Sequence, residues 1–76
     1  MANVDQFIIN GPVAALRPLL DLLHANPETA VLAVTRNDQA DPERVVVSMD
    51  PARAAALSAA LKGLAIVIEP DEFLHP

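Results

Sequence analysis

The chain has 76 residues, no cysteine, and ten acidic against five basic side chains, for a net charge of −5. That length supports one small domain, the missing thiols exclude a disulfide framework or a thiolate metal site, and the negative balance opposes binding to phosphate backbones or anionic membranes. Apolar residues make up 53% of the chain, but charges or prolines interrupt every run well before the ~20 residues of a spanning helix. With no basic and apolar leader at the start, the expectation is a cytosolic chain, or one exported with a precursor, and no nucleic-acid or membrane partner.

In chain order, Gln6 to Asn10 is a short β-rich run closed by the turn signal Gly11-Pro12, which predicts a first strand. Val13, Leu16, Leu20 and Leu23 then recur at helical steps, with Leu19 and Leu22 widening the stripe, so an amphipathic helix is expected to Ala25. An interior proline costs about 3 kcal/mol, so Pro18 predicts either a kink or a true start near Arg17. Asn26-Pro27 ends that helix, because the residue before a proline is pushed out of helical angles.

Thr29 to Arg36 and Arg44 to Met49 read as the second and third strands. The polar link from Asn37 to Pro42 is too short for a crossover helix, which predicts an antiparallel hairpin. Asp50-Pro51 places a capping carboxylate ahead of a proline at the first helical position. The helix it opens carries Ala54, Leu57 and Leu61 on one face and is expected to stop at Lys62-Gly63 with a left-handed glycine. Leu64 to Glu69 is the fourth strand.

The order βαββαβ predicts an α+β, ferredoxin-like sandwich, with a four-stranded antiparallel sheet and two helices on one face. Residues 1–70 form the single domain and 71–76 an extended tail. Alternation assigns Phe7, Ile9, Leu32, Val34, Val45, Val47, Met49, Leu64, Ile66 and Ile68 to the helix-covered face. It leaves Ile8, Val31, Ala33, Thr35, Val46, Ser48, Ala65 and Val67 on the open face. That set is mostly small and apolar, whereas a sheet face bound for water normally carries more polar groups, so a docking surface is expected.

Little in the sequence supports chemistry. His24 and His75 are the only imidazoles and lack metal-ligand spacing; His24 sits where a helix C-terminus favours a cation. Ser48 and Ser58 lack a nucleophile setting. Asp38, Asp41 and Glu43 crowd a turn without the ligand alternation and glycine of a calcium loop. Gly11 and Gly63 are the only glycines, which excludes a glycine-rich phosphate cradle, and Phe7 and Phe73 alone cannot form the aromatic platform of an RNA-binding sheet. The stretch Gly11-Pro12 to Arg17 only gestures at an acylphosphatase-type anion loop. No catalytic residue, metal or cofactor is expected.

Two stretches carry a resemblance. Met49-Asp-Pro-Ala-Arg-Ala-Ala-Ala-Leu57, followed by Gly63-Leu-Ala-Ile-Val-Ile-Glu-Pro-Asp71, resembles the second half of the subtilisin propeptides and of their free-standing relatives, the propeptide-like serine protease inhibitors. The likeness extends along the whole chain in its elements but covers only residues 45 to 76 in detail. Asp41-Pro-Glu-Arg-Val45 departs from the aromatic, glycine-containing approach to the third strand that is usual in the family.

The resemblance implies a βαββαβ domain that inhibits a subtilisin-like serine protease or assists its folding as an intramolecular chaperone. Its sheet face, here Ile8, Val31, Ala33, Val46, Ala65 and Val67, would lie on the enzyme's surface helices, and its C-terminal tail would thread into the substrate cleft. Glu69 and Asp71 would then face helix N-termini of the enzyme. Glu72 and Phe73 would lead Leu74 into an apolar specificity pocket, with His75 and Pro76 approaching the scissile position and the tail stopping about one residue short of it. The alternative expectation is a regulatory or structural module that forms a homodimer through Ile8, Val31, Val46 and Val67, which would hide the same patch.

Overall fold

The computed structural model describes residues 5–71. Its elements are β1 (Asp5–Asn10), α1 (Val13–Ala25), β2 (Ala30–Arg36), β3 (Pro42–Met49), α2 (Pro51–Leu61), a 3-10 turn (Lys62–Leu64) and β4 (Val67–Pro70). The four strands form one sheet in the order β2-β3-β1-β4, with every neighbouring pair antiparallel. This is the ferredoxin-like α+β arrangement that the element order predicts.

Both helices cover the same face of the sheet. Leu16, Leu19, Leu20 and Leu23 of α1 and Ala54 of α2 pack with Phe7, Ile9, Val45, Val47, Met49 and Ile66 in a single core. Ile9, Leu16, Val45, Val47 and Met49 are wholly buried, and each such aliphatic side chain contributes about 1.5–3 kcal/mol. Because α2 is mostly alanine, the larger side chains come from α1 and the sheet.

Helix α1 starts at Val13, not near Arg17. Pro12 is its N-cap, and the Pro12 carbonyl accepts from the amides of Ala15 and Leu16 at 3.0 and 2.9 Å. Pro18 is retained inside the helix. Its bond would have gone to the carbonyl of Ala14; both residues are exposed, so hydration offsets part of the loss. Burial of Leu16 holds the first turn in place. Helix α2 begins as the sequence predicts, with Asp50 Oδ1 accepting from the Ala52 amide at 2.7 Å and Pro51 opening the helix.

The β2–β3 turn is closed locally. Asn37 Oδ1 accepts from the amides of Gln39 and Asp41 at 2.8 and 3.0 Å, and Ala40 takes a left-handed φ of 64°. Arg36 donates to the Ala40 carbonyl at 2.8 Å, and an Arg17–Asp41 ion pair ties the turn to α1. These contacts account for Asp41 as a structural residue of the turn.

Two expectations at strand level are corrected. In β2 the register runs Val31↔Val47 and then Ala33↔Val46, so Leu32 is the extra residue of a bulge. Val31 therefore packs against the core while Leu32 is 48% exposed, the reverse of simple alternation. At the end of α2 the chain does not turn at Gly63. It continues through the 3-10 turn, and Ala65 is the left-handed residue, with φ 59°. Consequently Leu64 is exposed, Ala65 lies outside the sheet, and β4 begins at Val67. Ile66 becomes the inward anchor of this connection, buried against the core.

Candidate functional site

The uncovered face of the sheet is assembled by the strand register. Along its middle row, Leu32 and Ala33 of β2 lie opposite Val46 of β3, which pairs with Ile8 of β1, which pairs with Glu69 of β4. Thr35, Arg44, Asn10 and Val67 form the row on one side. Ala30, Ser48 and Gln6 form the row on the other, extended by Asp71, whose amide donates to the Gln6 carbonyl at 2.9 Å. Arg44 Nε donates to Asn10 Oδ1 at 3.3 Å, which holds the guanidinium over the sheet.

The face is thus an apolar band with a polar border, more polar than alternation alone predicts. Of the docking residues expected from the sequence, Ile8, Ala33, Val46 and Val67 lie on it together, with Val67 50% exposed. Val31 does not, because the bulge turns it to the core, and Ala65 does not, because it precedes β4 in a left-handed turn. Leu32 replaces Val31 and was missed. A signal for it exists: in Ala30-Val-Leu-Ala-Val34 the two β-branched residues are three apart, and both can face inward only if the strand holds an extra residue.

The two acids of the tail root differ sharply. Glu69 is exposed on the open face, whereas Asp71 is only 8% exposed. Glu72, Phe73, Leu74, His75 and Pro76 lie outside the described residues.

Elsewhere, an open groove between α2 and β4 is lined by Ala55, Ser58, Ala59, Lys62 and Ile68. Lys62 is the one ionisable group among these five. His24 is exposed in the last turn of α1. Among the described residues no cluster of three or more histidine, cysteine, aspartate or glutamate side chains could hold a metal ion, and no helix is long and apolar enough to cross a membrane. Comparisons with protein-family models, with curated proteins and with solved structures found no match.

Proposed function

We propose that the chain is a protein-binding domain that inhibits a subtilisin-like serine protease, or assists the folding of one, and performs no chemistry itself. The observation that carries this reading is the band Leu32, Ala33, Val46 and Ile8, which ends at the exposed carboxylate of Glu69 on the strand that leads into the tail. An apolar band with a polar rim is the anatomy of a protein interface. Glu69 at its edge suits the partial positive charge of helix N-termini on an enzyme surface. Residues 72–76 would enter the substrate cleft as an added strand, with backbone bonds supplying affinity and Leu74 supplying selectivity for an apolar pocket.

The test is inhibition of a purified subtilisin by the chain and by a version truncated after Asp71. Inhibition at nanomolar to micromolar concentration that is lost on truncation supports tail insertion. No inhibition at high micromolar concentration, together with a concentration-dependent dimer in light scattering, overturns the reading in favour of a module paired through the same face.

A further inference from the structure

Strand β4 is the outer strand of the sheet on the side of α2, and among the described residues no strand pairs with its outer edge. The ladder shows which groups that edge presents. Asp71 donates its amide to the Gln6 carbonyl at 2.9 Å, and the pairs Ile8↔Glu69 and Asn10↔Val67 continue the same register in steps of two. Backbone groups alternate sides along a strand, so Val67 and Glu69 turn theirs to β1, while Ile68 and Pro70 turn theirs outward. Pro70 has no N–H to offer, which blunts its end of the edge. An added strand is thereby confined to the start of β4, around Ile68.

That stretch borders the open groove of about 670 Å³ between β4 and α2. On the helix side Ala55, Ser58 and Ala59 are small, which leaves room for the side chains of a fifth strand, and Lys62 stands at the end. Strands β3 and β4 are both antiparallel to β1, and α2 runs back between them, so the C-terminal end of α2 lies by the start of β4. There the connection through Ala65, which also lines the groove, closes it. Lys62 is unlike the other four basic residues. Arg17 pairs with Asp41, Arg53 with Glu28, Arg36 donates to the Ala40 carbonyl and Arg44 to Asn10, whereas Lys62 has no such partner among the described residues. A strand antiparallel to β4 points its C-terminus at Lys62 and at the closed end. We propose that the groove takes the free C-terminus of a partner polypeptide as a fifth strand antiparallel to β4. Ile68 and the Pro70 carbonyl would bond its backbone, and Lys62 its terminal carboxylate. The groove is on the helix side of the sheet, so the proposal does not depend on the protease reading.

The probe is a pool of acetylated peptides, with threonine alternating with mixed apolar residues and a free C-terminal carboxylate, set against the same pool as C-terminal amides. Each is titrated into the full chain and followed by the NMR amide signals of Ile68 and of Lys62 to Ala65. Expected are saturable shifts at these amides with the free acids, and binding weaker by about threefold to fivefold for the amidated pool and for Lys62→Gln, with Lys62→Arg retaining it. Ala59→Leu, at an exposed helical position, should fill the groove and abolish the shifts while leaving the melting temperature and any subtilisin inhibition unchanged. Equal binding of acids and amides, binding that survives Ala59→Leu, or no shift with either pool would each overturn the proposal. A concentration-dependent dimer that shifts Ile68 and is dispersed by Ala59→Leu would also overturn it, by making the occupant a second copy of the chain.

Discussion

The backbone of Gly11 lies directly against Ile66, so that a Cβ at Gly11 would stand 2.9 Å from Ile66 Cγ1 and 3.3 Å from its Cα. Part of that approach is to main chain, which cannot rotate away. Gly11→Ala should therefore destabilise the domain by about 1–3 kcal/mol through overpacking, read as a lower urea midpoint with an unchanged slope.

The left-handed alanines predict the opposite sign. Ala65 and Ala40 hold φ of 59° and 64°, a region that costs a residue with a Cβ roughly 1–2 kcal/mol. Glycine removes that strain but adds freedom to the unfolded chain. Ala65→Gly and Ala40→Gly should each raise stability, by up to about 1 kcal/mol, in urea or thermal melts.

The bulge in β2 makes neighbouring positions respond differently. Val31→Asp places a charge against the core and should cost about 3 kcal/mol or more. Leu32→Asp, on the open face, should change stability by no more than about 0.5 kcal/mol. Under the proposed function Leu32→Asp also weakens protease inhibition. Equal effects of the two substitutions on stability would show that the register is wrong.

Asp50 is the side-chain cap of α2. Replacing it with alanine leaves the Ala52 amide without its acceptor and should cost about 1 kcal/mol by urea unfolding, with asparagine recovering most of it.

Glu69 carries the electrostatic part of the proposed interface. Glu69→Gln should leave the melting temperature unchanged and weaken inhibition by about threefold to tenfold at low salt, the gap narrowing as ionic strength rises. A salt-independent loss would locate the effect in packing.

The strands, the hairpin and both helices follow from punctuation that is explicit in the chain: Gly11-Pro12, Asn26-Pro27, the polar link at 37–42 and Asp50-Pro51. In β1 and β3 the open-face positions include Gln6, Asn10, Arg44 and Ser48, so polarity marks the outer side and alternation gives the correct faces. In β2, residues 30–34 are all apolar, so hydrophobicity does not distinguish inside from outside, and the three-residue spacing of Val31 and Val34 is the one local mark of the bulge. The misread end of α2 has a different cause. Gly63 is the residue best suited to a left-handed turn, but the turn falls two residues later at Ala65, where it delivers Ile66 to its seat against Gly11. That demand is tertiary and leaves no local trace. The open face of the sheet was legible in Ile8, Ala33, Val46 and Val67; the different surroundings of Glu69 and Asp71 were not, because both are acids on the same side of one short strand.

The central place of β1 has a consequence for how the protein is made. The first of the four strands to be synthesised is paired on one side with β3 but on the other with β4, the last of the four to be made. Contacts this distant along the chain carry a loop-closure cost and slow folding. On a nascent chain β1 therefore waits with one edge unpaired, open to strands from other chains, until the residues around 70 have emerged.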